Sequence, residues 1–187
     1  SCPLTASCAP PRLCRPPLTP RLCRPASAAA PPQVVAGYPN PASLGIDAGC
    51  AAFHYLNQSG VTSITGVDDK ASYDELRTAM GHIGLLDEDQ EHVCKLLASL
   101  LHIGNIRFTG EDEAAIDAAT AASSKQTVSL LGTANLETCL ISSTLTTRGE
   151  TVQVRLTPEK ATLARDALTK SIYARLFDWI VSRINVT

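Results

Sequence analysis

The sequence predicts a mainly α-helical chain with one small β-hairpin, preceded by a disordered Pro-rich segment. Three observations support this fold class. Eleven of the twelve prolines lie within residues 1–41. Downstream of that segment, apolar residues recur at the i, i+3, i+4 spacing of a buried helix face. One stretch near the C-terminus alternates apolar and polar residues, which is typical of a strand.

Composition excludes several classes of function. The chain of 187 residues is 44% apolar but only 4% aromatic, which predicts a core of Leu, Ile, Val and Ala. The formal net charge of −2 predicts no general attraction to nucleic acid or to membrane surfaces. No apolar run reaches the roughly 18 residues of a membrane span, and the N-terminus lacks a secretory signal pattern. We therefore expect a cytoplasmic protein with no nucleic-acid partner and no membrane span.

Residues 1–50 form a Pro-, Arg- and Cys-rich segment unlike the remainder. Pro11–Pro16 recurs as Pro20–Pro25, and no acidic residue precedes Asp47. Proline at this density disfavours helices and central strands, so we expect disorder or polyproline-like structure. A ligand for SH3-type partners through Pro17–Pro20, an inert linker and translated non-coding sequence all fit this composition. The abrupt repeat favours the last, an artefactual segment.

Cysteine and histidine spacing predicts no metal site. Seven cysteines, an odd number, include no C-x-x-C pair, and a zinc site needs clustered ligands. We expect reduced, unpaired thiols. His82, His92 and His102 lie ten residues apart, which does not place them on one helix face. We predict packing or surface roles for these histidines.

Residues 53–187 read as a second, folded domain. Ser72 begins a predicted helix as the first residue of a capping box, and Gly84 ends it. Asp87 is the predicted N-cap of the next helix, whose buried stripe is Val93, Leu96, Leu97, Leu100 and Leu101. Further helices are predicted over residues 114–131 and from the Asn135 cap through Ile141.

A hairpin followed by a long helix is predicted for the C-terminal part. Thr144–Arg148 and Thr151–Leu156 read as strands joined by a turn at Gly149 and Glu150. Thr157 is the predicted N-cap of the helix, with Pro158 at its first position. An apolar stripe, long relative to the rest of the chain, indicates a missing packing partner; it consists of Ala164, Leu168, Ile172, Leu176 and Ile180. We expect Trp179 to lie in the core.

Five segments in order resemble motifs of the myosin motor head. They are Phe53–Gly60 (FHYLNQSG), Leu101–Phe108 (LHIGNIRF), Thr147–Thr151 (TRGET), Ala164–Lys170 (ARDALTK) and Leu176–Asn185 (LFDWIVSRIN). The resemblance covers about residues 53–185 and is similar to the upper 50-kDa region of the head, whereas residues 1–52 show none. It implies a fragment of a P-loop NTPase-type motor domain.

The same resemblance implies an ATP-driven motor that moves on actin and uses ATP and Mg²⁺ when complete. This chain contains no G-x-x-x-x-G-K-[ST] sequence, which would cradle the phosphates, and neither of the family's switch motifs. We therefore expect no catalytic, ATP-binding or metal-binding residue here, no cofactor in the fragment, and no ATPase activity from this chain alone.

By resemblance, the hairpin matches the family's cardiomyopathy loop, which contacts actin. The implied actin-contact residues are Thr146, Thr147, Arg148, Gly149, Glu150 and Thr151. Glu150 lies 16 residues before Asp166, at a position that the family fills with an acidic or phosphorylatable residue. A glutamate there supplies permanent negative charge, although the neighbouring Thr151 leaves phosphorylation open.

The resemblance also implies the partners and the location of the chain. The implied partners are the actin filament, the rest of the motor head and, in a full-length protein only, light chains or calmodulin, and the implied location is the myosin complex of the cytoskeleton. Two alternatives remain open. One is a truncated product that binds actin as an adaptor, and the other is a non-functional gene fragment.

Overall fold

The computed structural model describes residues 26–61, 66–147 and 150–186, and within them helices dominate. The helices are α1 (Ala26–Gly37), α2 (Pro41–Leu44), α3 (His54–Asn57), α4 (Asp69–His82), α5 (Asp87–Asn105), α6 (Ala121–Leu131), α7 (Leu136–Ile141) and α8 (Pro158–Val186). The strands are β1 (Phe108–Thr109), β2 (Ala115–Ile116), β3 (Ser142–Thr147) and β4 (Glu150–Arg155), which pair as β1–β2 and β3–β4, both antiparallel. The prediction of a mainly α-helical chain with a small hairpin is confirmed.

Helix α5 is the centre of the fold. The predicted stripe is buried at Val93, Leu97, Leu100 and Leu101 and half-buried at Leu96. Small or polar residues on its other faces are buried too, since α1, α3, α6 and α8 all pack against it. Burial of apolar area at roughly 25 cal/mol per Å² makes this helix the main source of packing energy. Its buried neighbours include Val34, Leu44, Phe53, Tyr73 and Leu176.

The structure differs from the predicted disorder of residues 1–50 from Ala26 onward. Helix α1 contains Pro31 and Pro32, yet Val34 and Val35 are only 1% and 8% exposed. Proline removes backbone donors but keeps a helical φ, and the burial of two valines against α4 and α5 offsets the lost hydrogen bonds. The part of this prediction that concerns residues 1–25 lies outside the described residues.

Two helix starts differ from the predicted caps. The Asp68 carboxylate accepts hydrogen bonds from the backbone N–H groups of Lys70 (2.9 Å) and Ala71 (3.1 Å), so α4 begins three residues before Ser72. A carboxylate with extended backbone at Asp68 satisfies the first free N–H groups before Ser72 is reached. Helix α5 begins at Asp87 rather than after it, and that side chain forms an ion pair at 3.0 Å with Arg77 on α4.

The Ala-rich stretch 114–131 is only partly helical. Ala114 donates its N–H to the Leu156 carbonyl (2.7 Å), and Asp117 donates to the Arg107 carbonyl (2.9 Å). These long-range bonds hold the start of the stretch extended as β2, because tertiary pairing outweighs the helix propensity of alanine. Helix α6 therefore begins only at Ala121 and ends, as predicted, at Gly132 in a left-handed conformation.

The capping of α4 gives a direct test. Asp68→Ala should lower the free energy of unfolding by about 1 kcal/mol, because two backbone donors lose their acceptor. Ser72→Ala, at the position that the sequence pattern favours, should be neutral or slightly stabilising, because alanine has the higher helix propensity. Urea unfolding followed by circular dichroism measures both; a larger loss for Ser72→Ala would contradict this assignment.

Candidate functional site

The hairpin β3–β4 is a regular antiparallel ladder. Its register runs from Ser142 opposite Arg155 to Thr147 opposite Glu150. The sequence had indicated that Glu150 belongs to the turn. The register instead makes it the first residue of β4. The backbone of Thr146, Thr147, Glu150 and Thr151 lies in the two strands, whereas Arg148 and Gly149 lie outside the described residues.

Both faces of strand β4 are exposed. Val152 and Val154 are 56% and 41% exposed, and their alternating neighbours Gln153 and Arg155 are exposed as well. The alternation of apolar and polar residues is therefore not explained by burial against another described part of the chain. A two-stranded hairpin is marginally stable alone, so its position depends on its base.

The base of the hairpin is attached to the body by backbone hydrogen bonds. Leu156 donates its N–H to the Ile141 carbonyl (2.9 Å) and accepts from Ala114 (2.7 Å). Leu136 and Leu140 of α7 form a small buried cluster with Ile106 beneath this base. The hairpin is therefore anchored at one end and projects from the body.

Helix α8 begins directly after the hairpin. The Thr157 hydroxyl accepts from the N–H of Lys160 at 3.4 Å, and Pro158 occupies the first helical position, as predicted. The 29 residues of α8 extend about 43 Å at 1.5 Å per residue. Any fixed contact along α8 therefore also fixes the end of the hairpin.

Arg165 supplies such a contact. Its side chain is only 5% exposed. Its Nη1 donates to the carbonyls of Gly104 (3.2 Å) and Ile106 (2.7 Å), at the C-terminal end of α5. Its Nε and Nη2 donate to Asp166 Oδ1 at 2.9 and 2.7 Å. The guanidinium thus satisfies carbonyls that a helix end leaves free and keeps a carboxylate beside its own buried charge.

Tyr55 completes this cluster, which we name the Arg165 junction (Tyr55, Gly104, Ile106, Arg165 and Asp166). The Tyr55 hydroxyl donates to Asp166 Oδ1 at 2.6 Å, and its ring lies 5.9 Å from the guanidinium carbon. A Cβ atom at Gly104 would lie 2.5 Å from the Tyr55 ring, so this close approach requires glycine.

Electrostatics support the charged form of the Asp166 carboxyl. Partial burial raises its pKa, but the hydrogen bonds from Tyr55 and Arg165 and the charge of Arg165 outweigh burial and leave the pKa below its ordinary value. Burial, followed by the hydrogen bond to Asp166, raises the pKa of Tyr55. Both groups therefore keep the protonation states that their hydrogen bond needs at neutral pH.

Asn105 extends the junction to the segment before α3. Its Oδ1 accepts from the N–H of His54, and its Nδ2 donates to the Ala52 carbonyl, both at 2.8 Å. Three of the sequence segments singled out above, at 53–60, 101–108 and 164–170, therefore meet at one place. Sequence reasoning did not find this cluster, although an arginine beside the apolar stripe of α8 was a signal for it.

The C-terminal half of α8 is less buried. Leu176 packs against α5 and is 9% exposed, whereas Phe177 and Ile184 are 54% and 50% exposed. The prediction that Trp179 lies in the core is wrong, because its side chain is 37% exposed with the Arg183 guanidinium 5.5 Å from its ring. Trp179 lines a surface groove with Ile172 of α8 and with His92 and Leu96 of α5, so its ring is only partly covered.

The described histidines and cysteines do not cluster into a metal site. His102 is buried, and His82 and His92 are exposed, as predicted. Within the described ranges, Cys50, Cys94 and Cys139 form no disulfide bond. In the described part of the chain, no three His, Cys, Asp or Glu side chains are placed to hold a metal ion. None of the helices described is long and apolar enough to cross a membrane.

Comparison with known proteins shows the family of the chain. The family model of the myosin head (motor domain) matches residues 34–187. The chain belongs to the myosin head family. It is 39% identical to Myosin-6 and 40% identical to Myosin-14 of Arabidopsis thaliana, each over 141 residues and 71% of this chain. The chain spans only 9% of the length of these relatives.

The family match also corrects the start of the resemblance. It begins at residue 34 rather than near residue 53, and so includes the end of α1, α2 and the turn at Cys50–Ala52. Burial gives the physical reason, because Val34, Leu44 and Ile46 are each 1% exposed and belong to the same core as α5. Sequence composition had assigned these residues to the Pro-rich segment.

Removal of the buried guanidinium should be costly. Arg165→Met should lower the free energy of unfolding by about 3–5 kcal/mol, because two carbonyls lose their donor and the Asp166 charge loses its partner. Arg175→Met, at an exposed position of the same helix, is the matched control and should change the free energy of unfolding by about 0.5 kcal/mol or less. Equal effects of the two substitutions in urea unfolding would contradict the role of Arg165.

Proposed function

We propose that this chain is part of an actin-based, ATP-driven cytoskeletal motor and carries its actin-facing hairpin. The observation that supports this most is the exposed hairpin: among the described residues its backbone hydrogen bonds to the body lie at its base, and both faces of β4 are exposed, within a chain of the myosin head family. A segment that must reach a filament needs this exposure, together with a rigid base.

The proposed actin contacts are Thr146 to Thr151, with Glu150 as the charged residue at the end of the ladder. Position in the register supports this, since Glu150 and Thr147 form the last pair of the ladder. A carboxylate there would add a permanent negative charge where a phosphorylated residue would add one conditionally. The affinity of this motor for actin would then not be regulated by phosphorylation at residue 150.

The nucleotide chemistry belongs, in this proposal, to polypeptide beyond these residues. No phosphate-binding loop sequence occurs among the 187 residues, and the chain spans 9% of its relatives' length. ATP and Mg²⁺ would bind elsewhere in a complete P-loop-type motor domain, whose other parts would be the partners of this chain. Light chains or calmodulin would bind only in a full-length protein.

Two alternatives to the motor can be distinguished by experiment. A truncated adaptor would bind actin through the same hairpin without a motor cycle, and a non-functional fragment would do neither. An immunoblot of native extract that shows a species far larger than 19.8 kDa supports the motor. If only the small species exists, co-sedimentation with filamentous actin distinguishes the adaptor, which pellets, from the fragment, which does not.

Charge removal at Glu150 tests the contact. In a complete motor that contains this segment, Glu150→Ala should lower actin-activated ATP turnover about two- to five-fold at subsaturating actin, the equivalent of roughly 0.5–1 kcal/mol for an exposed ion pair. The difference should shrink as salt is added. Glu159→Ala, an exposed glutamate in the first turn of α8, is the matched control and should leave turnover unchanged. Unchanged turnover in Glu150→Ala would refute the contact.

A further inference from the structure

His102 is a buried titratable group that the proposed function does not use. It lies near the end of α5 and is 7% exposed. Its Nε2 lies 2.8 Å from the Leu44 carbonyl, and its ring is nearly perpendicular to that of Phe53, with centroids 5.4 Å apart. A Cβ atom at Gly45, where φ is +66°, would lie 3.1 Å from Nε2. The ring is therefore enclosed by the segment Pro41–Phe53.

No charged side chain among the described residues acts on this imidazole. Helix α2 offers the Leu44 carbonyl, and the uncharged side chain of Gln126 on α6 approaches the same side of Gly45 as the ring. The titratable residues of α3 are directed to other partners, His54 towards Gln58 and Tyr55 to Asp166. Burial lowers the pKa of His102, and the hydrogen bond to Leu44 offsets only part of this effect. A positive charge formed here would have no carboxylate to pair with in the described part of the chain.

The segment Pro41–Phe53 packs against α5 through apolar side chains and is held to it by polar ones. Its apolar side chains Leu44, Ile46 and Phe53 are buried, and two described side chains of α5 hold its backbone. These are His102 at the Leu44 carbonyl and Asn105 at the Ala52 carbonyl. Since the Leu44 carbonyl can only accept, Nε2 carries the proton of the neutral ring, and acid adds the second proton at Nδ1. This hydrogen bond therefore survives protonation, and the closed segment is destabilised instead by the charge placed in a buried site. Opening of this segment would expose the imidazole to water.

We propose that His102 is an acid-sensitive latch, whose protonation releases Pro41–Phe53 from α5 while the Arg165 junction stays closed. The closed segment holds a neutral imidazole, and the open segment allows a hydrated imidazolium. As the pH falls below about 6.5, the ordinary pKa of histidine, the open form binds the proton first. The open population then rises up to tenfold for each pH unit, until the pH reaches the pKa of the closed form.

Hydrogen exchange with mass spectrometry on the full 187-residue chain tests this latch. Protection factors, corrected for the pH dependence of intrinsic exchange, are compared at pH 7.5 and 5.5. The 41–53 segment should lose protection several-fold at the lower pH, whereas residues 158–170 of α8 should keep theirs. His102→Gln should show no loss, because the carboxamide can still donate to Leu44 but does not titrate in this range. His82→Gln and His92→Gln, at exposed positions, should behave as the native chain.

Two results would overturn the latch. One is unchanged protection of 41–53 in the native chain at pH 5.5, and the other is an equal loss in His102→Gln. If that variant does not fold, the native chain decides the question by nuclear magnetic resonance. The His102 ring signals and the protection of residues 41–53 should then change with the same midpoint, below pH 6.5. A loss of protection whose midpoint matches the titration of the carboxyl groups, and not that of the His102 ring, would contradict the proposal.

Discussion

The relative placement of the helices in this structure depends on the hydrogen bonds from Arg165 to the carbonyls of Gly104 and Ile106. A buried guanidinium is tolerated only when its donors are satisfied and its charge is paired. Here the carbonyls come from the end of the central helix, and the paired carboxylate is the next residue, Asp166. Since Tyr55 donates to the same carboxylate, one charge pair fixes α3, α5 and α8 relative to each other.

This constraint explains how an exposed hairpin can have a defined position. The strands β3 and β4 bury little surface of their own, but Leu156 is bonded to both Ile141 and Ala114 at their base. Helix α8 starts two residues after Leu156, at Pro158, and reaches the Arg165 junction after about two helical turns. The orientation of a proposed actin-binding element is therefore set by a buried polar cluster rather than by contacts of the hairpin itself. The cluster belongs to the segments by which the chain resembles a myosin head.

Much of the fold could be predicted from the sequence, because its helices follow the periodicity of their apolar residues. The stripe of α5 and the Pro158 start of α8 are local signals, and both are confirmed. Long-range effects were not visible: burial of Val34 keeps α1 helical despite two prolines, and pairing with Arg107 and Leu156 keeps residues 114–117 extended. The hairpin was predicted as a site by resemblance, whereas the Arg165 junction joins residues up to 111 positions apart, which no local pattern reveals.

A double-mutant cycle between Tyr55→Phe and Arg165→Met tests the central claim most directly. The two side chains share Asp166 Oδ1, so the loss of one changes the energy of the other's contact. If the junction acts as a unit, the free energies of unfolding of the single and double variants should differ from additivity by about 0.5–3 kcal/mol. Additivity to within about 0.3 kcal/mol would show that the two contacts are independent and would contradict this account.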